Sequence, residues 1–307
     1  MTRRQWPLAA ASVWRLTAAR TPSAAFPTEP RARLAVASYP FRKTVNPRTG
    51  TLRLVDFPQM VADQFGVRGI EPLDEHFPFT DPGYLDRFRS ALSRAGVRVV
   101  NIPVGRLPGS FYDPSEEVRR AVVDAARHWV QVAATLKSPG IRAHIRSVNT
   151  APPNASLAAE ALRRVADFGE ENNVVVHLEN DNPHSEEAFF LVDVIDRAGT
   201  PWLRALPDFC NSMLLDKGEE YNLKAVAAMF QRAFAICHVK DSEQEGKKFY
   251  RIDLAHTFAI AARSGYRGYF SMEYDAEGDP YAPTRRLIED SLRLLALPVT
   301  RPAGTTG

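Results

Sequence analysis

The sequence contains few cysteines and no long apolar run. Its 307 residues include only two cysteines, Cys210 and Cys237, which cannot form a disulfide framework or a cysteine-rich zinc site. No run of eighteen apolar residues occurs, so we expect no ordinary transmembrane helix. The phosphate-binding patterns GxGxxG and GxxxxGK[ST] are also missing, which argues against an open, doubly wound nucleotide-binding sheet.

The chain also lacks a basic surface outside its first residues. Its formal net charge is +3, and the first 29 residues account for all of it, with four arginines and only Glu29 as an acidic residue. The remaining chain is formally neutral. A nucleic-acid surface normally needs a concentrated basic face, so we expect no nucleic-acid partner.

The first 30 residues are predicted to be a leader or a disordered extension. The opening Thr2-Arg3-Arg4-Gln5-Trp6-Pro7-Leu8 resembles a twin-arginine export signal, and Ser23-Ala24-Ala25 offers small residues for cleavage. The apolar stretch is short, and Arg15 and Arg20 interrupt its continuation. A disordered basic extension or a misassigned start is therefore the alternative, and the location stays open between cytoplasm and export. Residues 299–307 are predicted to be a disordered tail.

From residue 33 onward, strand-like and helix-like segments alternate. The predicted strands are 33–39, 67–73, 97–103, 140–147, 174–179, 202–208, 235–238 and 269–273. The predicted helices are 55–65, 82–96, 113–136, 156–172, 185–198, 221–233, 254–264 and 283–295. In the third helix, Asp113 suits the N-cap and Pro114 the first helical position. Eight apolar strands alternating with helices predict an α/β fold, a (β/α)8 TIM barrel that forms a single domain over residues 31–298.

Four residues with metal-ligand chemistry end successive predicted strands in the second half of the chain. They are Glu179, Asp208, His238 and Glu273, at intervals of 29, 30 and 35 residues, about one strand-and-helix unit each. In a (β/α)8 barrel, the carboxyl ends of the strands meet at one mouth, where active sites lie. Three carboxylates and an imidazole meeting there predict a site for one divalent cation.

Strand geometry adds further candidates. Because side chains two residues apart share a face of a strand, His177 lies on the face of Glu179, and Lys240 on that of His238. His177 is a candidate general base, or a core histidine bonded to a barrel neighbour. Lys240 is a candidate to stabilise an enolate, or one partner of an ion pair with Glu179. Glu71 and His144, near the ends of earlier strands, are candidate substrate contacts.

Short motifs around the four ligands resemble those of a known family. They are His177-Leu178-Glu179-Asn180, Asp208-Phe209-Cys210-Asn211, His238-Val239-Lys240-Asp241 and Ser271-Met272-Glu273-Tyr274. In these motifs the sequence is similar to the xylose isomerase-like TIM barrels, over roughly residues 33–297. That resemblance implies that Glu179, Asp208, His238 and Glu273 coordinate one manganese, magnesium, cobalt or zinc ion.

The sequence departs from the ketose 3-epimerases of that superfamily at two positions. Those enzymes carry a substrate-binding histidine three residues after the metal aspartate, where this chain has Asn211, and an arginine six residues after the metal histidine, where it has Gln244. Asn211 remains a candidate substrate contact. Both differences weaken an assignment to free ketoses.

The leading functional hypothesis is a metal-dependent isomerase or epimerase of a sugar or sugar derivative. Glu179 and Glu273 would transfer a proton next to a carbonyl through a metal-stabilised enediolate, as general acid–base carboxylates can. One alternative is a lyase or dehydratase that acts on a keto-sugar or 3-keto-glycoside by β-elimination, with His177 as the base. Another is a carbohydrate-binding barrel without catalysis. The expected partner is a small sugar, no membrane is expected, and a homo-oligomer is possible.

Overall fold

The computed structural model describes residues 20–297, and the predicted tail and most of the predicted leader lie outside them. The strands are β1 (Leu34–Ala37), β2 (Gly69–Glu71), β3 (Arg98–Val99), β4 (Pro103–Val104), β5 (Gly140–Ala143), β6 (Val175–Glu179), β7 (Leu203–Leu206), β8 (Ile236–Val239), β9 (Ser242–Glu245), β10 (Lys248–Arg251) and β11 (Tyr269–Met272). All eight predicted strands are present, although most are shorter than predicted and the third is split into β3 and β4.

Helices follow the barrel strands in regular alternation. They are α1 (Phe57–Phe65), α2 (Pro82–Ala95), α3 (Glu116–Leu136), α4 (Ala155–Asn172), α5 (Ala188–Ala198), α6 (Gly218–Phe230), α7 (Leu254–Arg263) and α8 (Tyr281–Leu295). Several end where the chain turns into the left-handed region, as at Gly66, Gly96 and Gly199, whose φ values lie near +60°. Glycine is favoured there because it has no Cβ to clash.

The parallel strands close into a barrel. One sheet has the order β3-β2-β1-β11-β8, and a second has the order β4-β5-β6-β7. An isolated parallel bridge between Asp208 and His238 links the end of β7 to β8. On the other side, the Val100 amide donates to the Ile70 carbonyl and the Arg142 amide donates to the Ile102 carbonyl, both at 2.9 Å. The chain between β3 and β4 therefore connects the two sheets, and the predicted single-domain TIM barrel is confirmed.

The start of α3 differs from the prediction. The helix begins at Glu116, and its N-cap is Ser115, whose hydroxyl accepts from the amide of Val118. Asp113, which the sequence suggested as the cap, instead accepts a hydrogen bond from the Ser115 amide at 2.8 Å. Asp113 and Pro114 therefore precede the helix, because the serine two residues later provides the cap and the aspartate orients it.

The barrel strands are buried on both faces. Every residue of β1, β5, β6, β8 and β11 is buried. At the amino-terminal end of the barrel, Phe26 packs edge-to-face on Phe234 and Tyr269, with ring centroids 5.5 and 5.8 Å apart. Residues 20–30, which the sequence assigned to the leader, thus contact the barrel, and the proposed cleavage near Ala25 stays a prediction.

An additional antiparallel hairpin, β9–β10, follows β8 at the carboxyl-terminal end of the barrel. It occupies the position of a βα loop, and its first strand contains Glu243, which contacts Lys240. Across residues 20–297, no helix is both long and apolar enough to span a bilayer.

Candidate metal centre

The four predicted ligands meet at the carboxyl ends of four neighbouring strands. Glu179 ends β6, Asp208 follows β7, His238 lies in β8 and Glu273 follows β11. One ligand atom from each lies within 4.8 Å of the other three, and all four residues are buried, the most exposed being Glu273 at 7%. Buried charges are costly unless they are paired or bind a cation. The sequence therefore predicted correctly which residues come together.

Backbone hydrogen bonds fix the orientation of Asp208. Its Oδ1 accepts from the amides of Cys210 and Asn211 at 2.8 and 2.7 Å, which is a local side-chain turn. The Asn180 side chain clamps the backbone of Asp208 on the other side, accepting from its amide at 2.8 Å. Within residues 20–297, the buried Oδ2 of Asp208 has no hydrogen-bond partner. A buried, unpartnered carboxylate oxygen at this position is suited to bind a cation.

His238 directs its two ring nitrogens to different partners. Its Nδ1 lies 2.6 Å from Oε1 of Glu179 and 3.2 Å from Oε2 of Glu273. Its Nε2 lies on the other side of the ring, 2.9 Å from Oε2 of Glu71. Nδ1 is therefore the nitrogen available to a metal. Glu71, proposed from the sequence as a substrate contact, is fully buried against the histidine.

Each glutamate of the cluster has its own cationic neighbour. The Nε of Arg142 lies 3.0 Å from Oε2 of Glu179. On the opposite side, the Nζ of Lys240 lies 3.3 Å from Oε2 of Glu273 and 3.9 Å from Asp208. Of the two alternatives that the sequence left for Lys240, an ion pair is present, but with Glu273 and Glu243 rather than Glu179. The proposed support of an enolate stays a prediction.

The crowding of acidic groups perturbs their pKa values in opposite directions. Burial, reinforced by Glu179 and Glu273, raises the pKa of Asp208 to about 8. Burial also raises the pKa of Glu179. For Glu273 burial acts in the same direction, but the charges of His238 and Lys240 outweigh it and lower the pKa. The chain therefore holds more negative charge here than its own cations balance, which favours a bound divalent cation.

The hydrogen bonds of the cluster are those expected around a bound metal ion. The outer nitrogen of a ligating histidine usually donates to a carboxylate, as Nε2 of His238 can to Glu71, while Oδ2 of Asp208 is left free for the ion. Three carboxylates and one imidazole nitrogen are typical ligands of manganese, magnesium, cobalt or zinc. The donor set therefore fits one divalent cation of this class.

The other predicted site residues lie around this cluster at different depths. Asn211 accepts from Lys240 Nζ at 2.9 Å, and its buried Nδ2 has no partner in the described part of the chain. His177 is fully buried in the barrel interior, and desolvation lowers its pKa to about 3. His144 is only partly buried, with Nδ1 lying 2.8 Å from Glu186.

Arg142 is a residue of the site that the sequence reasoning missed. It is 6% exposed, and besides Glu179 it contacts Asp181 through a terminal nitrogen at 2.6 Å. The signal was present, because an arginine inside the apolar run Gly140-Ile141-Arg142 shares a strand face with His144. A lone arginine in a buried strand needs a carboxylate partner, and Glu179 of the neighbouring strand supplies it.

A second group of potential ligands lies beside the first. His144, Asp181 and Glu186 also bring ligand atoms within 4.8 Å of one another. Arg142 already supplies positive charge there, with a terminal nitrogen 3.7 Å from Glu186 as well as its bond to Asp181. In this second group His144 and Asp181 are only partly buried, whereas the four-residue cluster is buried and includes the Oδ2 of Asp208, which is unpartnered within the described residues. The four-residue cluster is therefore the better metal site.

A cavity of about 270 Å³ adjoins the cluster and could hold a small polar ligand. Its lining includes Arg142, His144, Asp181 and Arg106, and Arg142 connects it to Glu179 of the cluster. A larger groove of about 730 Å³ lies between the β1–α1 loop and α2. Neither cavity is lined by a member of the four-residue cluster, but Arg142, which contacts Glu179, lines only the smaller of the two. We therefore assign the smaller cavity to the candidate site, because the charged groups converge there.

Metal binding is expected to release protons and to strengthen as the pH rises. Below about pH 8 the metal-free protein holds a proton on Asp208, and a ligating carboxylate must lose it. The affinity for Mn²⁺ should therefore increase about 50-fold between about pH 6 and pH 8, most steeply below pH 7. Calorimetric titration in buffers of different ionisation enthalpy measures the number of protons released. A pH-independent affinity with no proton release would contradict the assignment of Asp208.

The fold and the cluster define a (β/α)8 barrel with a buried carboxylate–histidine site at its carboxyl-terminal mouth. Residues 60–297 match the family model of the xylose isomerase-like TIM barrel, so the chain belongs to that family. The search against curated protein sequences gives no match.

Solved structures share this fold at low sequence identity. A xylose isomerase-like TIM barrel protein from Mycobacterium smegmatis, in complex with magnesium, has a TM-score of 0.67 at 16% identity, covering 86% of this chain and 98% of that one. For an L-ribulose 3-epimerase, the TM-score is 0.68 at 16% identity, with 86% and 95% covered. For a 3-keto-D-glucoside 4-epimerase from E. coli, it is 0.64 at 15% identity, with 85% and 98% covered.

Proposed function

We propose that this protein is a divalent-metal-dependent isomerase or epimerase of a sugar or sugar derivative. One observation carries the proposal. Glu179 and Glu273 approach a common centre from different strands and share it with Asp208 and His238. Each glutamate also has its own positively charged neighbour, Arg142 or Lys240. Two carboxylates placed on different sides of one bound substrate can remove a proton and return it.

The comparisons support a sugar as the substrate class. Proteins with this fold include the L-ribulose 3-epimerase, a D-psicose 3-epimerase solved with D-tagatose and the 3-keto-D-glucoside 4-epimerase. At 14–16% identity, the likeness of these three to this chain concerns the fold. The substrate class therefore rests on the site as well as on these relatives.

The reaction follows from what the side chains can do. When bound, the divalent cation polarises the substrate carbonyl and stabilises the negative charge that develops on its oxygen. One glutamate removes the proton from the adjacent carbon, and the other delivers a proton to the opposite face or to the neighbouring carbon. Burial of both carboxylates excludes water, which strengthens every charge interaction in the site.

The side chains of Arg142 and Lys240 keep the two glutamates charged and oriented. Burial opposes protonation of both basic groups, but Glu179, Glu186 and Asp181 raise the pKa of Arg142, and Asp208 and Glu273 raise that of Lys240. Both therefore stay positive at neutral pH. Lys240 lies beside Glu273, where it can support an oxyanion that forms near this glutamate.

Asn211 takes part in substrate binding in this proposal. Its Oδ1 is engaged by Lys240, which leaves two amide hydrogens on Nδ2 to donate to a substrate oxygen. Gln244, at the position of the epimerase arginine, lies in the hairpin with its side chain bonded to the Gly246 carbonyl. The missing arginine and the asparagine together favour a sugar derivative over a free ketose.

A β-eliminating lyase remains the competing reaction, since it shares the first proton transfer. The proposed base of that reaction, His177, is fully buried and bonds to Asn101 and to the Ile141 carbonyl. Neither contact leads to a substrate. We therefore assign the first proton transfer to a glutamate. Retention of four buried ligand groups argues against a barrel that only binds carbohydrate.

Recovered sugar from a reaction in deuterated water distinguishes these three functions. Metal-loaded protein should introduce deuterium next to the carbonyl of a keto-sugar or 3-keto-glycoside, without loss of any group, and mass spectrometry detects the label. Protein stripped of metal by a chelator is the control, and it should leave the sugar unlabelled. Release of water or an aglycone would establish the lyase. A metal-loaded chain that binds a sugar but never labels it would establish the non-catalytic barrel.

A further inference from the structure

Three buried side chains continue from the metal histidine into the barrel interior. Glu71 Oε2 lies 2.9 Å from Nε2 of His238, and its Oε1 accepts from Nδ2 of Asn101 at 2.8 Å. The Oδ1 of Asn101 in turn lies 3.2 Å from Nδ1 of His177. All four residues, including His238, have no exposed surface, so they have no contact with bulk solvent. No step of the proposed reaction uses this series.

A backbone carbonyl fixes the direction of the hydrogen bonds. The Nδ1 of His177 also lies 3.2 Å from the carbonyl oxygen of Ile141. A carbonyl can only accept, so Nδ1 of His177 carries the hydrogen. The neighbouring Nε2 is buried and has no acceptor within residues 20–297, which agrees with an unprotonated nitrogen. Asn101 must therefore present its oxygen to His177 and its NH₂ group to Glu71.

The hydrogen on His238 can be assigned in the same way. Glu71 receives a hydrogen from Asn101 on one oxygen and offers the other oxygen to His238. Only a nitrogen that carries hydrogen can donate to it, so Nε2 of His238 is protonated. Nδ1, on the side of Glu179 and Glu273, is then the nitrogen that exchanges its hydrogen for a cation.

We propose that Glu71, Asn101 and His177 are positioning residues that hold His238 in the Nε2–H form, with the Ile141 carbonyl setting the direction of the series. The proposal rests on the metal site of the proposed function. If His238 took the opposite tautomer, its Nδ1 would carry hydrogen and could not bind a cation. Outer carboxylates of this kind orient ligating histidines and raise their basicity.

The barrel wall is shaped for this series at Gly140. A Cβ on this glycine would lie 2.4 Å from Cε1 and 2.7 Å from Nδ1 of His177. No side chain fits there without displacing the imidazole. The close approach of β5 to the ring is what brings the Ile141 carbonyl within reach of Nδ1.

Replacing Glu71 by glutamine tests the proposal through metal affinity. In Glu71→Gln, an amide oxygen bonded to His238 leaves an NH₂ group facing the NH₂ group of Asn101. If the amide turns round, its NH₂ group faces Nε2 of His238 and favours the tautomer that carries hydrogen on Nδ1. Calorimetric titration with Mn²⁺ should show an affinity about 10- to 100-fold below that of the unchanged protein. An unchanged affinity would overturn the proposal.

A second substitution should restore the Mn²⁺ affinity lost in Glu71→Gln if the hydrogen bonds run in the proposed direction. In Glu71→Gln/Asn101→Asp, the new amide oxygen accepts from His238 and its NH₂ group donates to the new carboxylate, which in turn accepts from His177. Every donor again faces an acceptor, and the formal charge of the interior is unchanged. We expect the double variant to recover most of the lost Mn²⁺ affinity. A folded double variant that binds no better than Glu71→Gln would overturn the directional series.

Two further measurements distinguish the directed hydrogen bonds from a general effect of removing charge. Glu277→Gln removes an exposed charge from the β11–α8 loop, and its Mn²⁺ affinity should equal that of the unchanged protein. Histidine ¹⁵N spectra of the unchanged, metal-free protein should show His177 protonated at Nδ1, and protonation at Nε2 instead would overturn the proposal whether or not the variants fold. Failure of the unchanged protein to bind Mn²⁺ would instead refute the proposed function.

Discussion

Replacing Glu273 by glutamine is expected to lower kcat about 10³-fold on the sugar that the protein isomerises. The amide keeps the size of the side chain and an oxygen for the cation, but it cannot accept the substrate proton. It also loses the charge that Lys240 contacts at 3.3 Å. Initial rates at saturating Mn²⁺ separate the loss of proton transfer from weaker metal binding.

A glutamate four residues further along the same loop provides the matched control. Glu277 is exposed, so Glu277→Gln removes the same charge without touching the cluster and should leave kcat unchanged. If Glu273→Gln turned over as fast as the unchanged protein at saturating metal, Glu273 could not be one of the two proton-transfer groups. The mechanism would then need another base.

The second large effect expected is stabilisation of the fold by metal. The cluster buries Asp208 with a raised pKa and leaves its Oδ2 without a partner in the described residues. Because the folded chain binds this proton more tightly than the unfolded chain, the metal-free fold should lose stability as the pH rises from about 4 to about 8. At a Mn²⁺ concentration about 1,000 times Kd, the Tm should rise by roughly 10 °C.

Asp208→Asn and Asp216→Asn distinguish specific binding from a general effect of the ion. The first replaces a ligand by an amide that resembles the protonated acid, so the metal-free Tm should change little while the Mn²⁺ shift disappears. The second alters an exposed carboxylate paired with Lys248 and should keep the full shift. Thermal unfolding followed by circular dichroism measures both. Equal shifts in the two variants would show that the ion stabilises the protein elsewhere.

The sequence predicted the barrel and the proximity of its four-residue carboxylate–histidine cluster because both depend on local periodicity. A charged residue that ends an apolar strand can be recognised in the sequence alone, and the barrel brings successive strand ends to one mouth. For Glu179, Asp208, His238 and Glu273, chain order therefore translated directly into spatial proximity.

Contacts between strands that are distant in sequence were harder to predict. Glu71 was expected to contact substrate, yet it bonds to His238, which lies 167 residues later and joins it only when the barrel closes. Arg142 was missed for a related reason, because its significance depends on Glu179 in the next strand. The start of α3 depended on a choice between two capping residues, and local geometry selected Ser115.

Anomalous diffraction from crystals of the protein grown with Mn²⁺ and a bound keto-sugar tests the proposed metal site most directly. One strong peak is expected within bonding distance of Glu179, Asp208, Glu273 and Nδ1 of His238, with the sugar carbonyl directed at the same ion. A peak at His144, Asp181 and Glu186 instead, or no peak at the four-residue cluster, would contradict the proposed site.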